Sequence, residues 1–313
     1  MADHAPFFII GAGRSGTTLL RLILTGHSRL HIPPETWFLQ PLVRELPLRG
    51  VLTLAQRQRA IEIMVRHERW DDLGVGEEEF RRLADVLEQP ALVDLIDIVY
   101  RRLLSLSAKV RVGDKTPHYF AIVPELAMLY PTAKFIHLIR DGHDVAISWI
   151  DAGWERYYEP GFEWPRAMAC LGHHPDSVLT VRYEDLMRQP ETTVRRICAF
   201  LGEIFEPGML DWQDRAELVA PRDRHLHARL PQPLSETSVA VWRRRLSAME
   251  CFAMEACLYQ GLLAAGYPLR FAARGWRPLF KATARTLRGC APILRRGVPK
   301  LQKWGVLPRD VYL

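Results

Sequence analysis

Residues 6–24 read PFFIIGAGRSGTTLLRLIL: an apolar run, a glycine-rich octet, and a second apolar stretch with a different period. Pro6–Ile10 is too short for a helix and stops at Gly11, as a parallel strand buried on both faces does. From Thr17 the spacing of Leu19, Leu20, Leu22, Ile23 and Leu24 suits a helix with most of its surface covered, ending near Gly26. A buried strand, a glycine turn and a buried helix in succession are the opening of a layered α/β fold.

The rest of the chain continues that pattern. Strand-like runs recur at Val110–Val112, Lys134–Ile139 and Ser177–Val181, each followed by a helical pattern at Ile122–Leu129, Val145–Ile150 and Thr193–Leu201. Such alternation implies a central, mainly parallel sheet flanked by helices, with right-handed crossovers. Residues from about 53 to 107 carry several helical stripes and read as a helical insertion. Asp223–Ser238, with Pro231 and Pro233, reads as a long surface loop, and a last core helix spans about Ser247–Ala265. The expected organisation is one α/β domain over 1–269 and a separate tail over 270–313.

Composition narrows the class. The 313 residues are 48% hydrophobic and 25% charged, enough apolar surface for a large core, which excludes disorder along the whole chain. No run approaches the ~20 apolar residues of a membrane span. With the motif starting at Gly11, no signal peptide is expected ahead of it. The five cysteines (Cys170, Cys198, Cys251, Cys257 and Cys290) lack CxxC spacing and read as reduced thiols of a cytoplasmic protein.

The octet GAGRSGTT at 11–18 fits the spacing of a phosphate loop, with Thr17 where lysine is usual. Glycines let successive backbone N–H groups turn inward, and the helix start adds partial positive charge. Arg14 adds a fork of donors, and Ser15, Gly16, Thr17 and Thr18 complete an anion cradle. Without the lysine that grips β- and γ-phosphates, the loop suits an anion lacking a γ-phosphate. The competing reading is a tight turn that binds nothing.

RSGTTLL after an apolar strand resembles the 5′-phosphosulfate loop of the sulfotransferases that use 3′-phosphoadenylyl sulfate (PAPS). The closest likeness in motif is to tyrosylprotein, heparan-type and bacterial members. HLIRDGHDVAISW at 137–149 resembles the family segment whose Arg and Ser, eight apart, hold the 3′-phosphate; here they are Arg140 and Ser148. VRYEDL at 181–186 is also similar, and places Tyr183 near the nucleotide. The likeness spans about residues 6–265. It implies a nucleotide-binding fold of the phosphate-loop type and transfer of a sulfuryl group from PAPS to an acceptor hydroxyl, with no metal required. Taken alone, Arg140 also suits an ion pair with Asp141 or Asp144, and Tyr183 a core position.

For the chemistry, Glu35 in HIPPETWFL is the candidate general base, similar in placement to the glutamate of the tyrosylprotein and heparan-type enzymes. Its neighbours Pro34, Trp37 and Phe38 are expected to exclude water and raise its pKa. Its other reading is a first-turn acid of the following helix. Lys115, in VGDKTPHY after the third strand, matches the family lysine on the bridging oxygen, and Arg14 adds charge at the phosphosulfate. His118 is the rival base. The HHP at 173–175 reads as surface rather than a zinc site.

The acceptor (sugar, phenol, tyrosine or lipid-like) is not fixed by sequence. Trp154, Tyr157, Tyr158, Phe162 and Trp164 are either its pocket wall or ordinary core. From Arg270 on there are 11 Lys/Arg against one acid, so the basic balance belongs to the tail. Arg270, Arg274, Arg277, Lys281, Arg285 and Arg288 share one helical face, as in a helix at an anionic membrane surface; the other reading is a solvated arm. A cytoplasmic enzyme, peripheral to the inner membrane face, would follow from the first reading. The alternatives for the whole chain are a small-molecule kinase with a phosphate loop and a non-catalytic nucleotide- or nucleic-acid-binding protein; nucleic acid is not the expected partner.

Overall fold

The structure, a computed structural model, describes residues 5–153, 158–169, 176–227, 230 and 234–271. Its strands are β1 (Phe7–Ile10), β2 (Leu30–His31), β3 (Arg111–Lys115), β4 (Lys134–Ile139) and β5 (Val178–Arg182). The helices run in chain order from α1 (Thr17–Thr25) and α2 (Leu39–Glu45) to α3 (Leu54–Val65), α4 (Glu77–Asp85) and α5 (Leu92–Ser107). They continue with α6 (Val123–Leu129), α7 (Gly142–Asp151), α8 (Tyr158–Met168), α9 (Tyr183–Arg188) and α10 (Pro190–Leu201). The last two are α11 (Trp242–Arg245) and α12 (Ala248–Ala264).

The chain sorts into two compact groups. The first is drawn from residues 1–11, 16–138 and 174–234, the second from 12–15, 139–173 and 235–313. The first holds the sheet, in the order β2-β3-β1-β4-β5. β1 runs parallel to both β3 and β4, with Phe7 opposite Gly113 and Lys134, and β2 runs parallel to β3. All four residues of β1 are fully buried, as a central parallel strand must be. Phe8 stacks on Phe135 at 5.2 Å, and Leu20, Leu22 and Ile23 of α1 are equally covered. At about 1.5–3 kcal/mol per buried side chain, these residues dominate the drive to form the layer.

The third strand differs from its expected span. It reaches Lys115, although Gly113 and Asp114 are poor strand formers. Packing overrides propensity here. A Cβ on Gly113 would lie 2.3 Å from Phe7 Cζ, so only glycine lets that ring lie against the strand. The segment read as helical holds α3, α4 and α5, with a capping box at Thr53 starting α3. The segment read as a loop contains 3₁₀ turns at Pro221–His227 and Glu236–Ser238.

In the second group α7, α8 and α12 pack on one another around Trp164, which is fully buried. A Cβ on Gly261 would come within 2.4 Å of that ring. Trp164 is therefore core, not pocket wall, and its indole donates to Arg140 O at 2.9 Å. Trp154, Tyr157, the His173–His174 pair, Cys170 and Cys290 lie outside the described residues, as do the side chains of Tyr158 and Phe162 and the tail beyond Phe271. Cys198, Cys251 and Cys257 are free thiols.

Candidate active site

The loop between β1 and α1 owes its path to three backbone positions. A Cβ on Gly11 would sit 2.4 Å from Leu138 O, so the strand end admits no side chain. Gly16 has φ +95°, and a Cβ there would meet the Tyr183 ring at 2.5 Å. Tyr183 thus packs against the loop at Gly16. Arg14 holds φ +66°, a left-handed conformation that costs a non-glycine residue roughly 1–2 kcal/mol. The Ser15 hydroxyl is fully buried with no hydrogen-bond partner. Such an atom is stabilised by an arriving anion, which fits the expected ligand.

Arg14, Ser148 and Arg140, all in the second group, come together. Arg14 Nε donates to Ser148 Oγ at 3.2 Å, and Arg140 donates to Arg14 O at 3.1 Å and to Ser238 O at 2.9 Å. Burial, then the charge of Arg140, hold the Arg14 pKa below its ordinary value. Two cations in a poorly solvated place favour an anion between them. Gly13 N–H donates to Glu163 Oε1 at 2.8 Å, and Trp149 donates to Gly13 O at 3.0 Å. Neither Glu163 nor Trp149 was singled out from sequence.

Glu35, Lys115 and Thr18 meet in the first group. Lys115 Nζ donates to Glu35 Oε1 at 2.5 Å and to Thr18 Oγ1, in the first turn of α1, at 3.2 Å. Trp37 Nε1 donates to the other oxygen of Glu35 at 2.6 Å. Trp37 does so from φ +58°, a strained conformation for a bulky residue, of the kind found where geometry serves a site. Lys115 is the last residue of β3 rather than part of a loop beyond it, and it is 3% exposed. The carboxylate faces lysine and indole, and α2 begins later, after Phe38, so Glu35 is not a helix-cap acid.

The expected upward shift of Glu35 is reversed. Burial pushes its carboxyl up, but the Lys115 charge and the hydrogen bonds from Lys115 and Trp37 outweigh that, leaving it below the usual carboxylate range. Burial, opposed by Glu35, leaves Lys115 below its ordinary value. The two form a largely buried ion pair, a carboxylate hydrogen-bonded at both oxygens beside an ammonium. His118 lies with its ring against Trp37 at 4.7 Å.

Two features beneath this cluster escaped sequence reading. Asp114, fully buried, accepts from Thr36 Oγ1 at 2.7 Å, Tyr100 OH at 2.9 Å and Thr116 Oγ1 at 3.1 Å. Tyr119 closes the network, bonding Thr36 Oγ1 at 2.7 Å and accepting Leu39 N–H at 3.1 Å. Burial above all, partly offset by these hydrogen bonds, pushes Asp114 up to about 6. The network pins the Thr36–Trp37 turn and so the direction of Glu35. Arg21, also buried, donates to Ile32 O at 3.0 Å and Leu218 O at 3.1 Å. A lone arginine inside the apolar stretch LLRLIL was the available signal, since a buried guanidinium needs partners.

A parallel sheet whose central strand ends in a glycine turn leading into a helix N-terminus is an architecture on which phosphate-bearing ligands are commonly bound. A profile of the sulfotransferase family matches residues 6–207, and the chain belongs to that family. The nodulation protein NoeE of Sinorhizobium fredii is 25% identical over 276 residues, covering 78% of this chain and 61% of NoeE. Protein-tyrosine sulfotransferase 1 of Danio rerio is 29% identical over 212 residues, covering 64% of this chain and 54% of the relative. The chain thus spans little more than half the length of these relatives. Among solved structures, the sulfotransferase domains of the Synechococcus olefin synthase (TM-score 0.62, 24% identity, 85% of this chain and 98% of that one) and of the curacin pathway (0.60, 21%, 85% and 100%) share the fold.

Proposed function

We propose that the protein transfers a sulfuryl group from PAPS to an acceptor hydroxyl. The observation that carries the reading is the Glu35–Lys115–Thr18 cluster at the start of α1, in a chain of the sulfotransferase family. Glu35 accepts the acceptor's hydroxyl proton as its oxygen attacks sulfur. The new S–O bond forms as the bond from sulfur to the phosphate oxygen breaks, and adenosine 3′,5′-bisphosphate departs. Lys115 meets the charge that develops on the departing oxygen, a role in which one preorganised donor is worth about 3–4 kcal/mol. Arg14, Ser15, Gly16, Thr17 and Thr18 take the phosphosulfate, Arg140 and Ser148 the 3′-phosphate, and Tyr183 the adenosine side of the loop. Family membership favours sulfuryl over phosphoryl transfer, as does threonine at position 17.

The names of the protein-tyrosine sulfotransferases keep a tyrosine hydroxyl among the candidate acceptors. Among the described residues no helix is long and apolar enough to cross a membrane. Contact of segment 270–313 with anionic lipid remains part of the proposal; its loss from vesicles on deletion of 270–313 is the expected result, and unchanged binding rejects it.

Calorimetry with adenosine 3′,5′-bisphosphate tests the donor assignment. Binding that falls at least tenfold in Arg14→Ala and in Arg140→Ala is expected. Absence of binding to the intact chain refutes it.

A further inference from the structure

Three side chains outside the Glu35 site converge in the second group. Cys251 and Glu255, one helical turn apart, share a face of α12, and His143 meets them from the first turn of α7. All three are fully buried, and their nitrogen, sulfur and oxygen atoms lie within 4.8 Å of one another.

His143 is held in one orientation. Its Nδ1 lies 2.7 Å from Asp141 Oδ1, which also accepts the His143 backbone N–H at 3.0 Å. Asp141 is fixed in turn by the Trp242 indole, which donates to Oδ2 at 3.0 Å, and the Trp242 ring stacks on the imidazole at 4.4 Å. The other ring nitrogen, Nε2, is buried with no hydrogen-bond partner and faces the thiol and the carboxylate. A buried polar atom left in this way marks a place for a ligand. An imidazole whose far nitrogen bonds a carboxylate is the arrangement that orients metal-binding histidines. Glu255 is set as firmly, accepting the Arg270 N–H on Oε1 at 2.5 Å and the Phe271 N–H on Oε2 at 3.0 Å.

The spacing is that of a coordination shell. A tetrahedral zinc ion, with nitrogen and oxygen at ~2.0 Å and sulfur at ~2.3 Å, sets its N and O ligands ~3.3 Å apart and its S and O ligands ~3.5 Å apart. Here His143 Nε2 lies 3.5 Å and Cys251 Sγ 3.6 Å from Glu255 Oε1.

We propose that His143 Nε2, Cys251 Sγ and Glu255 Oε1 bind a transition-metal ion of the zinc class, with Asp141 orienting the imidazole. Thiolate and imidazole donors favour such an ion over magnesium or calcium, which take oxygen. The ion replaces the thiol proton and the proton that the carboxylates otherwise hold on His143, so binding weakens as pH falls. Three protein ligands leave the fourth position to water. None of these residues takes part in the proposed transfer chemistry, and the proposal stands independently of it. The ion cross-links the first turn of α7 to α12 and, through Glu255, to the backbone at Arg270 and Phe271, where the basic segment begins.

Zinc and cobalt(II), each alone, test this on the full chain. Elemental analysis after dialysis is expected to find one zinc per chain, with a rise in Tm that a chelator reverses. Cobalt(II) is expected to give a thiolate-to-metal charge-transfer band and the intense visible absorption of a tetrahedral site. Cys251→Ser abolishes the charge-transfer band, and Asp141→Asn, which spares all three ligands, weakens zinc binding about 10–100-fold. Circular dichroism and a cooperative urea transition establish that each variant is folded. No zinc retained by the folded parent overturns the proposal and leaves a metal-free hydrogen-bonded knot. A cobalt band that survives Cys251→Ser, or zinc affinity indifferent to Asp141→Asn, puts the ion elsewhere and overturns it too. If Cys251→Ser fails to fold, the parent's spectrum decides, since cobalt bound without a thiolate band contradicts the site.

Discussion

Removing either partner of the Lys115–Glu35 pair has a larger effect than removing both. At 2.5 Å, two unit charges attract by about 7 kcal/mol at an effective dielectric near 20. Taking both out of water costs several kcal/mol per ion, so the pair contributes little net stability. Lys115→Met leaves the Glu35 carboxylate in its mostly covered pocket with only the Trp37 N–H, and an expected loss of about 3–5 kcal/mol. Glu35→Gln strands the ammonium with Thr18 and costs a comparable amount. The double variant carries no stranded charge and lies closer to the parent than the sum of the two. Urea denaturation at pH 7, followed by fluorescence and circular dichroism together, reads all four corners of this cycle. The pH dependence gives a second check. The folded Glu35 pKa lies below its ordinary 4.5, so its contribution is present above pH 4.5 and lost as pH falls through the folded value. In Lys115→Met that contribution disappears, because burial, the largest influence on the carboxyl, then outweighs the remaining Trp37 hydrogen bond. Single substitutions costing less than 1 kcal/mol, or a strictly additive double, would refute the reasoning.

Gly16→Ala forces a Cβ into a left-handed residue and onto the Tyr183 ring. A stability loss of more than about 1 kcal/mol and at least tenfold weaker nucleotide binding are expected by denaturation and calorimetry. Trp37→Phe deletes a hydrogen bond to a carboxylate, worth about 1.5–3 kcal/mol, and moves the acidic limb of kcat/KM upward in pH; an unmoved limb assigns the base elsewhere. Buried His143 is lowered by desolvation, but the carboxylates of Asp141 and Glu255 and the Cys251 thiol raise it to about 11. Its contribution is therefore complete below pH 6.5 and lost as pH rises toward 11. The stability gap between the parent and His143→Gln should narrow over that range, measured by denaturant midpoints at several pH values.

The loop, its strand and its helix were legible because their pattern is local: apolar run, glycines, apolar run. Arg140 and Ser148 were singled out by likeness to a family segment, and the structure brings both to Arg14. Lys115 and Glu35 were each named, yet nothing local showed that they form an ion pair, since 80 residues separate them. That contact reversed the expected shift of Glu35, because a cation within hydrogen-bond reach outweighs apolar neighbours. Position 114 looked unremarkable, since its three hydroxyl partners are assembled only by the fold. The direction of a side chain depends on partners distant in sequence, which pattern cannot supply.

The central claim is that Glu35 accepts a proton as sulfur moves to oxygen. Single-turnover transfer from [³⁵S]-labelled PAPS to a hydroxylated acceptor pool tests it most directly. The account predicts labelled acceptor from the parent chain and a rate about 10²–10⁴-fold slower for Glu35→Gln with nucleotide affinity retained. Transfer at the parental rate by Glu35→Gln, or no labelled acceptor from a chain that binds PAPS, would contradict it.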